Sequence, residues 1–207
     1  MAKITGIEQQ KKDKTRCSVY LDGAFYCGLK IEVAVKYRLK PGDEIEKSRL
    51  DEIQFENEKL QAVEKAMNHL SATIKTRRQM SDFLSSKGYT GQVIDYAIQK
   101  LESYGYIDDA AYCRAYINSV SGKGKAAIRA ALISRGADRA AIDAALEEVE
   151  EDEVQALELA RKYMRGKEFT RVNVNKAARY LVSRGYAYDL VKSVIAELTE
   201  DGGDEFD

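Results

Sequence analysis

The sequence feature that most constrains the fold is a five-residue motif that occurs three times. Leu-x-Ser-(Lys/Arg)-Gly stands at residues 84–88, 132–136 and 181–185, with its glycines 48 and 49 residues apart. Apolar residues follow each glycine at offsets of 6, 10 and 13, which place them on one helical face. A basic residue before a glycine is typical of a helix C-terminus, because glycine readily adopts the left-handed conformation there. Each copy therefore predicts a helix ending near the glycine, a short turn and a second helix.

One further helix is predicted ahead of each such pair, at about residues 58–72, 109–120 and 153–165. Three helices in each of three copies predict a tandem array in which a repeat contacts chiefly its neighbours. We expect this array to be elongated and curved. The predicted domains are a small module at 1–47 and three helical repeats at 48–107, 108–151 and 152–200. An acidic tail that frays is predicted at 201–207.

The first 47 residues contain the pattern of a β-hairpin. Asp22-Gly23 separates two runs of strand-forming residues, and this dipeptide favours a two-residue turn. A simple register would then place Cys17 and Cys27 on opposite faces, which predicts no disulfide between them. A helical pattern follows from Ile31 to Leu39. The predicted fold is therefore mainly α, with a small N-terminal module that contains a β-hairpin.

The chain carries a formal net charge of −1, but its charges are distributed unevenly. Lys and Arg exceed Asp and Glu by 4 in residues 1–50, by 5 in 71–135 and by 5 in 161–200, whereas residues 136–160 carry an excess of 8 acidic groups. The near-neutral total is thus a cancellation between segments. A partner would respond to the local charge, so the basic segments remain candidates for binding.

Composition argues against a metal site and against a catalytic centre. The chain has a single histidine, His69, and three scattered cysteines, whereas zinc takes about four clustered ligands. No nucleophile and base stand in a recognisable arrangement, so we expect no enzyme activity, no cofactor and no metal. The odd number of cysteines without a CxxC motif favours a reducing cytoplasm. No apolar run approaches the roughly 18 residues of a membrane span.

Other polar groups are assigned structural roles. Asp108 or Asp109 is expected to cap the helix that begins at Ala110. His69 is expected at the end of a helix or at an interface, and residues 122–125, Gly-Lys-Gly-Lys, in a turn between helices.

Basic residues recur around the motif in all three copies and are the candidate binding residues. Side by side, they could form a ladder for a phosphate backbone or for an acidic protein surface. The alternative is a solvated helix face in which the cation before each glycine interacts with the helix dipole. The set comprises Arg77, Arg78 and Lys87 in the first copy, Lys123, Lys125, Arg129 and Arg135 in the second, and Lys176, Arg179 and Arg184 in the third.

Three stretches of this sequence resemble the RecX family of recombinase regulators. They are residues 77–89, which contain the first motif, residues 101–112 and residues 124–136. The most specific part is Gly-Tyr-Ile-Asp-Asp-Ala-Ala-Tyr at 105–112. The resemblance covers about residues 60–200, and residues 1–50 are like the additional N-terminal segment of some family members.

The resemblance implies a regulatory protein that acts in recombination, DNA repair and the SOS response. It implies binding in the groove of the RecA filament on single-stranded DNA, and inhibition of RecA activities as the expected effect. It implies no catalysis and no cofactor, and we expect a monomer in the cytoplasm. The alternative is a stand-alone DNA-binding protein that uses helix-turn-helix-like repeats.

Overall fold

The structure, a computed structural model, describes residues 1–150 and 152–203. Four strands and ten helices lie within these residues. The chain forms two compact units. The first comprises Met1–Thr73 and Met80–Tyr106, and the second comprises Ile74–Gln79 and Ile107–Asp207.

The N-terminal strands form one antiparallel sheet in the order β3-β2-β1-β4. Their apolar side chains alternate along each strand and pack against α1 and the start of α2, in a core that includes Ile4, Val19, Leu29, Leu50 and Ile53. The strands are β1 Ala2–Gln9, β2 Arg16–Leu21, β3 Ala24–Lys30 and β4 Glu44–Ile45, and α1 is Ile31–Lys36.

The predicted hairpin is present, but its register changes after two residue pairs. Asp22 and Gly23 both have positive φ, 49° and 86°, which is the backbone of a tight two-residue turn. The pairing then shifts between Tyr20 and Val19, so that Val19 lies opposite Cys27. Because of this irregularity Cys17 and Cys27 are both buried in the same core. The prediction that they face opposite sides of the sheet is wrong, and both are free thiols in the structure.

Helix α2, Lys47–Leu70, belongs to both the sheet module and the first helical repeat. Its side chains bond to the sheet along its length: the Asp51 carboxylate accepts from the Tyr26 hydroxyl at 2.6 Å, and the buried Asn57 accepts from the Lys30 N–H at 2.8 Å. Helix α2 also packs against α4, and the first repeat is completed by α3 Arg77–Ser86 and α4 Gly91–Ser103.

The second and third repeats each have a core of their own. Cys113, Ile128, Leu132, Ile142 and Leu146 are buried together in the second repeat. Nine residues from three helices, together with Tyr186 from the turn between the last two of these helices, form the corresponding core of the third repeat. The helices are α5 Asp109–Ser119, α6 Lys125–Ser134, α7 Arg139–Glu147, α8 Glu153–Met164, α9 Arg171–Ser183 and α10 Tyr188–Gly203.

The mainly α fold with three three-helix repeats is confirmed, with differences at the ends of elements. Helix α1 stops at Lys36, three residues short of the predicted end, because the chain turns at Arg38 with a φ of 53°. Helix α10 continues to Gly203, three residues into the predicted tail. Residues 204–207 of the predicted tail, and Glu151 of the acidic run, lie outside the described residues.

Candidate binding surface

Within the second unit, the start of one helix meets the end of another at two places, each built on a glycine of the repeated motif. At the second of these, the N-terminus of α6 abuts the C-terminus of α9. The Gly124 N–H donates to the Arg184 carbonyl at 3.0 Å, and the Ala126 N–H donates to the Gly185 carbonyl at 3.2 Å. We call this contact, formed by Gly124, Ala126 and Ala127 with Arg184 and Gly185, the second end joint.

The first end joint repeats this arrangement one copy earlier and consists of Thr76 and Arg78 with Arg135 and Gly136. The Thr76 hydroxyl donates to the Arg135 carbonyl at 3.0 Å and accepts from the Gln79 N–H at 3.1 Å, as an N-capping side chain does. A Cβ atom at Gly136 would lie 2.5 Å from Cδ of Arg78. In both joints the N-terminus of a helix meets the C-terminus of another, so opposite ends of two helix dipoles lie together.

Asp108 and Asp109 have different structural roles. The Asp108 carboxylate caps α5 by accepting from the N–H groups of Ala110 and Ala111, which confirms the predicted role. The Asp109 carboxylate instead accepts from the Arg77 N–H at 2.8 Å and from the Asp138 N–H at 2.7 Å. It therefore connects the starts of α3 and α7, beside the first end joint.

The cation of each motif lies over an aromatic ring. The Lys87 ammonium is 5.3 Å from the centre of the Phe83 ring, the Arg135 guanidinium is 4.6 Å from that of Tyr116, and the Arg184 guanidinium is 5.3 Å from that of Tyr180. The Arg184 Nε–H also donates to the Tyr180 hydroxyl at 3.1 Å. These cation–π contacts hold the three charged groups near the helix ends.

The end joints bring most of the predicted basic residues together in two groups. Arg77 and Arg78 begin α3 and meet the Arg135 end of α6 at the first joint. Lys123 and Lys125 flank Gly124, which bonds to Arg184 at the second joint. Residues 122–125 form an inter-helix turn, as predicted, although Lys125 is already the first residue of α6.

The remaining predicted residues lie away from the joints. Arg129, in the middle of α6, forms an ion pair with Asp143. Lys176 and Arg179 are exposed on α9. Lys87 is exposed at the end of α3 in the first unit.

Further basic residues, outside the predicted set, surround the connection between α8 and α9. Residues 161–184 contain eight Lys and Arg but only one acidic residue, Glu168. Five of the eight lie outside the predicted set, namely Arg161, Lys162, Arg165, Lys167 and Arg171, and all five are exposed. The excess of basic residues in the 161–200 segment could have indicated them. They were left out of the predicted set because that set was chosen from basic residues that recur around the motif in all three copies.

The first unit contains a cavity of about 460 Å³ between the sheet and the first helical repeat. Arg16, Lys30, His69, Phe83 and Tyr89 are among its lining residues. The His69 and Phe83 rings stack at 3.8 Å, which agrees with the interface role predicted for His69 near the end of α2. Burial raises the pKa of the Tyr89 hydroxyl. These residues come from distant segments, so the sequence alone did not group them.

Within residues 1–150 and 152–203, His, Cys, Asp and Glu side chains form no group of three that could hold a metal ion. The helices of the described part include none with the length and apolar character of a membrane span.

The fold and its joints define a tandem three-helix-repeat protein with basic residues at the repeat ends. Residues 2–46 match the regulatory protein RecX N-terminal domain, and residues 62–101, 108–146 and 150–195 match the first, second and third three-helix domains of RecX. The chain belongs to the RecX family of regulatory proteins.

Relatives match over nearly the whole chain. Regulatory protein RecX of Clostridium tetani (strain Massachusetts / E88) is 33% identical over 208 residues, which cover 97% of this chain and 96% of the relative. Regulatory protein RecX of Clostridioides difficile (strain 630) is 30% identical over the full length of both chains. A crystal structure of regulatory protein RecX superposes with a TM-score of 0.74 and 25% identity, covering 94% of this chain and 98% of that chain.

Proposed function

We propose that this chain binds the RecA filament on single-stranded DNA and inhibits RecA activities in recombination, DNA repair and the SOS response. The observation that carries the proposal is the gathering of predicted basic residues at two end joints, in a chain of the RecX regulatory family. Fixed groups of cations suit a surface that alternates protein with phosphate. The role is one of binding without catalysis or cofactor, by a cytoplasmic monomer.

The mechanism we propose is bridging of neighbouring RecA protomers in the filament groove. The Thr76 hydroxyl fixes the first end joint and backbone hydrogen bonds fix the second. The groups at Arg78 and Arg135 and at Lys125 and Arg184 therefore keep a constant spacing within the second unit. A protein that contacts two protomers at once would slow their exchange at filament ends or change the active filament geometry. Either effect lowers RecA ATPase, strand-exchange and coprotease activities.

The test is the single-stranded-DNA-dependent ATPase of RecA from the same species, titrated with this protein. We expect the rate to fall, and an unchanged rate with these matched components would contradict the proposal. Binding to bare and RecA-coated single-stranded DNA at the same salt concentration separates the two candidate functions. Preference for coated DNA supports the filament regulator, and equal or stronger binding to bare DNA favours a stand-alone DNA-binding protein.

A further inference from the structure

The first motif ends in the same backbone conformation as the other two. Gly88 has a φ of 86°, and its N–H donates to the Ser85 carbonyl at 2.9 Å while the Tyr89 N–H donates to the Leu84 carbonyl at 3.4 Å. The same pair of bonds occurs at both other motif glycines, with lengths of 2.9 to 3.3 Å. All three helix ends therefore present the carbonyl before the glycine in the same way.

The three ends differ in what covers them. Gly185 is buried and Gly136 is half-buried under the end joints, whereas Gly88 is exposed. A Cβ atom at Gly185 would lie 2.3 Å from the Ala127 nitrogen, but a Cβ atom at Gly88 would meet nothing within 4 Å. Among the described residues, no donor is bonded to the Lys87 carbonyl, whereas the equivalent carbonyls of Arg135 and Arg184 each accept a hydrogen bond.

We propose that the Lys87-Gly88 end of α3 is an open end joint that receives the N-terminus of a helix from a partner protein. The two filled joints define the occupant's chemistry: a first helical turn with a small residue, Thr76 or Gly124, that donates to the carbonyl before the glycine. The positive end of such a helix is complementary to the negative C-terminal end of α3. This inference rests on the proposed function, in which the partner is a protein of the RecA filament.

A second copy of this chain is a poorer occupant. The N-termini of α3 and α6 already fill the internal joints, which leaves α9 among the equivalent helices. Helix α9 begins at Arg171, 14 residues before its glycine, whereas α3 and α6 begin 11 residues before theirs. Its first turn therefore does not match the two N-termini that fit.

The test compares Gly88→Asn with Gly105→Asn in binding to the RecA filament on single-stranded DNA. Asparagine tolerates positive φ, and a Cβ atom has open space at both positions, so both variants carry the same backbone cost. Gly105 ends α4 in the same unit but is not at a motif, which makes it the matched control. We expect Gly88→Asn to weaken filament binding about tenfold, because its side chain blocks the joint, and Gly105→Asn to bind like wild type.

Hydrogen exchange of the wild-type protein gives a second measurement that needs no variant. Backbone amides of residues 84–91 should become protected when the filament is added. If wild type binds the filament but the two variants bind equally well, the open joint is wrong and the proposed function stands. If wild type does not bind, both fall. If wild type self-associates and Gly88→Asn does not, the occupant is a second copy and the proposal is overturned.

Discussion

Gly124 and Gly185 lie 61 residues apart in sequence, yet their backbones are in direct contact. A Cβ atom at Gly124 would lie 2.2 Å from the Gly185 carbonyl oxygen, and the N–H of Gly124 bonds to the carbonyl of Arg184. The second and third repeats can meet in this way only because both positions lack a side chain. Gly185 thus has two roles, since its φ of 88° also ends α9.

Gly124→Ala is expected to destabilise the second unit. The new methyl group would meet backbone atoms, which cannot move aside as a flexible side chain can, so the joint must separate. We expect a loss of at least about 2 kcal/mol in the free energy of unfolding, measured by urea denaturation. Gly91→Ala is the control, because its Cβ atom has open space at the start of α4, and it should change stability by less than about 1 kcal/mol.

Asp109→Ala is expected to lower the free energy of unfolding by about 0.5–2 kcal/mol, because two helix-start N–H groups lose their carboxylate acceptor. Asp109→Asn keeps one carbonyl oxygen and should fall between wild type and Ala. The specific measurement is hydrogen exchange at the Arg77 and Asp138 amides, which should accelerate in Asp109→Ala. Asp108→Ala, which removes only the cap of α5, should leave those two amides unchanged. Unaltered exchange at both amides in Asp109→Ala would contradict the assignment.

Reversal of charge on α9 should weaken filament binding in a salt-dependent manner. Lys176→Glu combined with Arg179→Glu changes two exposed residues of the third repeat. Lys11→Glu with Lys12→Glu makes the same charge change in the exposed part of the N-terminal module. If α9 contacts the single-stranded DNA, the slope of log affinity against log salt concentration falls in magnitude by about 0.7 for each phosphate contact that is lost. An equal effect of both double variants would instead indicate a response to net charge alone.

The three cysteines should react slowly with iodoacetamide while the protein is folded. Burial raises the pKa of the Cys17, Cys27 and Cys113 thiols, that of Cys27 to about 11, so little of the nucleophilic thiolate is present at pH 8. Mass spectrometry should find them unmodified in buffer and fully modified in urea. Rapid modification of the folded protein would contradict this burial.

The same pKa shift predicts the pH dependence of stability. Folding favours the neutral Cys27 thiol. Its contribution to the free energy of unfolding is therefore complete below a pH of about 9 and is lost as the pH rises through about 11. The difference in unfolding free energy between wild type and Cys27→Ala should therefore shrink over that range. A difference that stays constant would exclude the linkage.

The sequence alone determined the secondary structure of the helical body. Repeated apolar positions at helical spacing and glycine after a basic residue are local signals, so three three-helix repeats follow from them. The Asp22-Gly23 turn is equally local. The cysteine faces were predicted wrongly because one irregular pair between Val19 and Tyr20 shifts the register, and no pattern in the sequence marks it.

Tertiary structure decided how the repeats connect and which residues share a surface. Thr76 reaches Arg135 across 59 residues, and Asp109 joins the starts of two helices, through backbone groups that carry no sequence signature. The glycine of the motif was predicted to end a helix, but its second role as a contact between repeats exists only in three dimensions. The reason is physical: helix periodicity is a property of neighbouring residues, whereas close approach of two backbones depends on the whole arrangement of the packed repeats.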